Sequence, residues 1–336
     1  MIEANAGRPE SRKLAHLEAL RAVCALVVLL NHALTVFAVP EPPTLVRWVA
    51  NCSTEAVLLF FLLSGAVITH SLALRPRRTS AFIRDRLIRI YPVYAIAIGL
   101  AAAAVWISQT NAQALPIWLA NALFLQSWTG SPFPLLELNR PLWSLPYEMF
   151  YYAVVALLLW RRDATAVLIS ALVVLLLALR AQPTAAYALL LIGLAPAFFA
   201  GAAMVRYRRA LPELPLALGI ASGLACLLGS KALEGHVSEL LRQNLYALGS
   251  VPMLWAMYTE QRHTPPRLLV WLGSISFALY AFHHPLFVIA NRIGDGFPWL
   301  LRLLLGFGLT LLTAALVERW LQPRIKASFR KTPSLR

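Results

Sequence analysis

Apolar positions along this chain do not alternate with polar ones. They come in long runs broken by short polar punctuation. A run of about 18 or more weakly charged apolar residues is long enough to cross a bilayer as a helix. Ten such runs occur, near 17–38, 54–74, 90–108, 143–160, 164–181, 185–205, 213–230, 241–259, 268–290 and 298–320. A further segment at 114–128, "ALPIWLANALFLQSW", is shorter and holds Pro116, Asn121 and Gln126, and it reads as re-entrant or interfacial. No internal repeat is evident. The pattern predicts an all-α, polytopic integral membrane bundle of about ten transmembrane helices. It forms a single domain over 1–336, with an N-terminal tail at 1–16 and a basic C-terminal tail at 322–336.

Composition agrees. The chain is 59% hydrophobic and 13% charged, with a mean hydropathy of +0.66, whereas soluble domains carry roughly 25% charged residues. The net charge of +15 would suit a nucleic-acid surface, but its distribution argues for topology instead. With the N-terminus inside, about twenty basic residues fall on the cytoplasmic side and about six on the other, as the positive-inside rule demands. Both termini are then cytoplasmic and nucleic acid is not a partner. Trp48, Trp128, Trp143 and Trp299 fall near the outer interface, and Trp160, Trp271 and Trp320 near the inner one. Cys24, Cys52 and Cys226 have neither metal-ligand spacing nor a disulfide framework. The N-terminal stretch is too long and polar before its apolar run for a signal peptide.

Ionisable residues inside these runs carry the chemistry, because a charge within the bilayer costs about 2.5 kcal/mol or more and usually faces protein. In "RAVCALVVLLNH", Arg21 and His32 are eleven residues apart, about 16 Å along one helix face. Alone, Arg21 reads equally as snorkelling and His32 as a hydrogen-bonded packing residue. They have company. "PLWSLPYEMFYY" places Ser144 and Tyr152 four residues either side of Glu148, and "GSISFALYAFHHPLF" places Ser276, Tyr280 and His283 on one face. His32, Glu148 and His283 are therefore expected to converge in the outer half, while His284, about 100° round the helix, is read as a packing or interface residue. On the cytoplasmic side, "AFIRDRLIRIYPVY" puts Arg86 and Arg89 on a short amphipathic segment, where with Arg21 they would suit an anion. Ser64 and Gly65 mark a place where helices or a ligand approach closely.

These residues carry a resemblance. "LRAVCALVVLLNH", "AVLLFFLLSGAVI", "RDRLIRIYPVY", "PLWSLPYEMFYY" and "SISFALYAFHHPL" occur in the order seen in the acyltransferase 3 family of integral membrane O-acyltransferases, and span almost the whole chain. The resemblance implies an acyltransferase of the bacterial inner membrane. Its donor substrate would be cytoplasmic acyl-coenzyme A, most commonly acetyl-coenzyme A, with no permanently bound cofactor and no metal. The acceptor would be a hydroxyl of an extracytoplasmic glycan or lipid-linked saccharide. By position, His32 would be the catalytic histidine and Glu148 its acidic partner. Arg21, Arg86 and Arg89 would bind the donor, while Ser64, Gly65, Trp143, Ser144, Tyr152, Ser276, Tyr280 and His283 would bind substrate or support the site. Two positions depart from the family pattern. Leu58 stands where many members have an acid, so that either Glu55, about one turn earlier, substitutes or the interaction is missing, and Ala66 replaces an aromatic residue.

Together these readings give a mechanism in which neutral imidazole, whose pKa lies near operating pH, acts as general base on the acceptor hydroxyl. Direct attack on the thioester is preferred to an acyl-histidine, with Tyr152 and His283 as the candidates for stabilising the oxyanion. A secondary transporter would also hold charge at mid-depth but commonly shows inverted repeats and broken helix pairs, which the sequence does not display. A non-enzymatic membrane partner would tolerate loss of His32 and Glu148, both of which are present.

Overall fold

The computed structural model describes residues 9–126, 133–161 and 186–331. The expected span at 164–181, Trp128 and the outermost parts of both tails lie outside the described residues. Among the described residues every regular element is a helix.

Helix α1 (Pro9–Val36) runs unbroken because no Gly or Pro interrupts it. It ends where Ala38 and Glu41 take positive φ and Pro40, Pro42 and Pro43 remove backbone donors. Then follow α2 (Thr44–Ala50), α3 (Ser53–Leu74), α4 (Thr79–Ser108) and α5 (Leu115–Ala122), a 3-10 segment (Glu137–Ser144), and α6 (Leu145–Arg161). The remainder comprises α7 (Ala186–Arg206), α8 (Leu216–Ala232), α9 (Glu239–Gly249), α10 (Val251–Thr259), α11 (Arg267–Ser274), α12 (Ser276–Ile293) and α13 (Trp299–Leu316). A π-helical turn (Val317–Leu321) and α14 (Gln322–Lys331) close the described chain.

Among the described residues five stretches are long and apolar enough to cross a membrane: Leu14–Val36, Ser53–Leu74, Thr79–Ser108, Glu137–Trp160 and Trp299–Phe329. Helices α11 and α12 add a sixth if taken as one broken span, and Leu194–Arg206 and Leu216–Ala232 are apolar but shorter. Leu300, Leu301, Leu304, Leu312 and Leu316 on α13 are exposed, as is Trp106 on α4. Water would penalise such contiguous apolar surface, whereas lipid solvates it.

Three expected elements differ in detail. The third span starts earlier, so Arg86 and Arg89 lie inside α4 and not on a separate amphipathic segment; nothing before Pro92 breaks the helix. The span expected at 241–259 is broken at Ser250, because Pro252 has no N–H for the carbonyl four residues back. The fourth span enters through the 3-10 segment, kinked at Asn139, which has non-helical φ/ψ.

The described chain forms two compact units, each drawn from three separate stretches. The first comprises the N-terminal part of α1 with α3 and α7 to α11. In it α3 and α7 cross at paired glycines. A Cβ on Gly65 would stand 1.8 Å from the Phe198 carbonyl oxygen, and one on Gly201 would stand 1.9 Å from that of Leu62. Of the two uses open to Gly65, the structure displays helix approach. Gly65→Ala must force two backbones apart and is expected to cost at least about 1–3 kcal/mol, read as a lower unfolding temperature in detergent. An unchanged temperature would mean that the helices do not cross there.

The same unit buries a charge cluster. Glu55 on α3 accepts hydrogen bonds from Arg242 on α9 and, at 3.0 Å, from Ser230 on α8. Lys231 Nζ lies 3.2 Å from the same carboxylate oxygen, and Arg242 also donates to Glu239 at 2.6 and 2.9 Å. Glu55, one of the two alternatives for the acid absent at Leu58, is thus committed to α8 and α9.

The second unit holds the rest of α1, with α2, α4, α5, the 3-10 segment, α6 and α12 to α14. Leu29 and Ala33 of α1, with Phe37 just beyond its end, pack on Phe287 and Ala290 of α12. The Phe37 ring occupies the space where Gly306 of α13 has no side chain. Pro285 shapes the centre of this unit. Lacking an N–H, it leaves the Ala281 carbonyl without its helical partner, and the buried Asn139 side chain donates to that carbonyl at 3.1 Å and to the Ala97 carbonyl at 3.3 Å. One amide therefore ties the 3-10 segment to α12 and α4.

Candidate active site

Three imidazoles meet in the second unit. His32, four residues from the end of α1, lies with its ring centroid 5.1 Å from that of His283 and 5.3 Å from that of His284. Both α12 histidines face His32, which corrects the expectation that His284 points away. Adjacent helical residues diverge by about 100°, and a ring seated over the ridge between them is flanked by both.

Backbone acceptors assign the tautomers of the α12 pair. His283 Nδ1 is 2.7 Å from the Tyr280 carbonyl and 3.3 Å from that of Leu279. His284 Nδ1 is 2.9 Å from the Leu138 carbonyl on the 3-10 segment. A carbonyl only accepts, so each Nδ1 carries the hydrogen and each Nε2 the lone pair in the neutral form. His283 is fully buried and its Nε2 has no hydrogen-bond partner. Despite the three imidazoles, no three His, Cys, Asp or Glu side chains among the described residues are grouped as metal ligands.

Around this core α12 is fastened to the 3-10 segment a third time. The Tyr280 hydroxyl donates to the Pro141 carbonyl at 2.6 Å, so its oxygen accepts from Ser144 at 2.9 Å. Ser276, Tyr280 and His283 are all buried along α12. Ser144 is the last residue of the 3-10 segment and not part of α6, and its bond runs to Tyr280. Glu148, in the first turn of α6, accepts a hydrogen bond from the Tyr152 hydroxyl one turn on. Trp143 packs edge-on to Tyr147, with centroids 6.1 Å apart.

The arginines of α4 follow. The Arg86 guanidinium lies 5.7 Å from the Phe82 ring and 5.9 Å from the Tyr152 ring, within cation–π range. Tyr152 thus touches Arg86 with its ring and Glu148 with its hydroxyl. Arg89 pairs with the buried Glu318 of the π-helical turn and lies 5.5 Å from the Phe277 ring. Its carbonyl, one residue beyond the one that Pro92 deprives of a donor, accepts from Gln322 at 2.9 Å.

Arg21, Ser64 and Gly65 belong to the first unit. Arg21 reaches Glu18 on its own helix at 3.4 Å, and Ser64 sits half-buried beside Gly65 on α3. His284, Asn139 and Glu318 escaped the sequence reading of the site. Glu318 had a signal, since it is a lone carboxylate within the expected span 298–320, and such a group needs a cation. Asn139 had none, because its partner carbonyl is freed by a proline far along the chain.

Comparison with known proteins gives one result. A family model described as an acyltransferase domain, that of the acyltransferase 3 family, matches residues 14–319, nearly the whole chain. No curated protein and no solved structure matches.

Proposed function

Because the chain belongs to the acyltransferase 3 family, we propose that it moves an acyl group, acetyl by preference, from cytoplasmic acyl-coenzyme A to an extracytoplasmic hydroxyl. The acceptor is a glycan or lipid-linked saccharide at the bacterial inner membrane, and His32 is the general base. The observation that carries this reading is the cluster of three imidazoles. Two have Nδ1 committed to backbone carbonyls, which leaves His32 as the member with no such commitment.

In this reading ten spans, with both termini cytoplasmic, put the basic ends of α1 and α4 on the donor side. Arg86 and Arg89 meet the phosphates of the nucleotide, with Arg21 as a further donor-side cation. A guanidinium has five N–H donors, so pairing with Glu318 leaves Arg89 others to offer. His32 takes the proton of the acceptor hydroxyl as that oxygen attacks the thioester carbonyl. Collapse of the tetrahedral intermediate breaks the C–S bond, and the sulfur leaves as the thiol by taking the proton from His32, which restores the neutral base. Of the two oxyanion candidates, His283 keeps its one N–H on the Tyr280 carbonyl and has none to offer, whereas Tyr152 serves by turning its hydroxyl from Glu148; Glu148 supplies the negative charge that offsets the imidazolium.

The test is transfer from radiolabelled acetyl-coenzyme A, using purified protein in nanodiscs and the polysaccharide fraction of the host envelope. Label should appear in the glycan as an alkali-labile ester. If no fraction is labelled and no coenzyme A thiol is released, the reading fails.

A further inference from the structure

His283 is buried with its Nε2 lone pair unmatched, and an unmatched buried acceptor is costly. Four rings lie near it. Phe287, at 5.7 Å, has no polar hydrogen. Tyr280, at 6.1 Å, has given its hydroxyl hydrogen to the Pro141 carbonyl, and neutral His284, at 6.4 Å, has given its Nδ1 hydrogen to the Leu138 carbonyl. His32, the nearest at 5.1 Å, is the one ring of the four with an N–H still to offer. Two imidazoles joined by an N–H···N bond of about 3 Å have centroids about 5.2 Å apart, so the ring separation admits such a bond, which a turn of the His32 ring would bring into line. Bonds of this kind are often misaligned in a substrate-free site and tighten when it is filled.

We propose that His283 is a positioning residue: its Nε2 accepts the N–H of His32, holding the tautomer whose other nitrogen is the base. A neutral imidazole has one hydrogen for two nitrogens. Without a partner, His32 would divide its population between a reactive and an unreactive form. Once His32 has taken the acceptor's proton, the same bond becomes charge-assisted and strengthens. A neutral imidazole thus does the orienting work that a carboxylate performs in a serine-hydrolase triad. The role rests on His32 being the base; the hydrogen bond itself does not.

The test separates the two nitrogens of His283. In His283→Asn the side-chain amide keeps a donor at the δ position for the Tyr280 carbonyl but offers no acceptor at ε. In His283→Gln the amide oxygen accepts at ε. The 336-residue chain, which has seven histidines, is labelled with [15N]histidine in detergent, and His32 signals are identified by their loss in His32→Gln. Above its titration, wild-type His32 should show one protonated and one bare nitrogen. His283→Asn should average the two, and His283→Gln should restore the difference. Transfer from acetyl-coenzyme A should fall at least about tenfold in His283→Asn, with the donor KM unchanged, and recover most of its rate in His283→Gln. Averaged nitrogens in the wild type, or a fixed tautomer in His283→Asn, overturn the proposal. Full transfer in His32→Gln defeats the base reading instead, and the nitrogen signals then still decide the hydrogen bond.

Discussion

His32→Ala is expected to lower acyl transfer by about 10²- to 10⁴-fold, the range contributed by a positioned general base, while binding of acetyl-coenzyme A persists. The two effects separate because His32 belongs to the imidazole cluster at the end of α1 and not to the arginines of α4. Removing it leaves His283 and His284 with their backbone bonds intact, so the fold should hold. Transfer is best followed by radiolabel, since the protein's own thiols at Cys24, Cys52 and Cys226 would react with a thiol reagent on unfolding. A wild-type rate in His32→Ala would remove the base from the mechanism. Lost donor binding with lost transfer would place His32 in a structural role.

Glu55→Ala should be the most damaging change to stability outside the site, at about 3–5 kcal/mol, the cost of breaking a buried ion pair by removing one partner. Glu55 is 1% exposed, and its loss leaves two cations, Arg242 and Lys231, facing a vacated carboxylate position. Arg242→Ala should cost less than Glu55→Ala, because Lys231 and Ser230 still reach Glu55. The double variant should cost less than the sum of the two, since neither is left buried alone. Unfolding temperatures of the three variants in detergent decide this. Strict additivity would mean that the residues act independently and that the cluster is not a lock between α3, α8 and α9.

Sequence and structure divide the site unevenly. His32 stood out because an ionisable group in an apolar run is unusual wherever it occurs, and the same holds for Glu148, whereas the arginines of α4 were legible only as a basic pair on an amphipathic segment. Their partners were far less visible. Arg89 pairs with Glu318, 229 residues on, and the Ser144–Tyr280 bond joins residues 136 apart. A stripe drawn on one helix cannot say how the facing helix is rotated. That is why Ser144 turned out to bond α12 and His284 turned out to face His32.

What the sequence determined by itself is local: long apolar runs that must be helical in lipid to satisfy their own backbone, the spacing that puts His32 near the end of α1, and the ordered motifs that place the chain in its family. The tertiary structure alone decided what each side chain meets. It spent Gly65 on a helix crossing, committed Glu55 to Arg242, and gave the carbonyl released by Pro285 to Asn139. It also set His283 against His32. Helix formation depends on neighbours within about four residues, whereas these pairings depend on how whole helices rotate and pack.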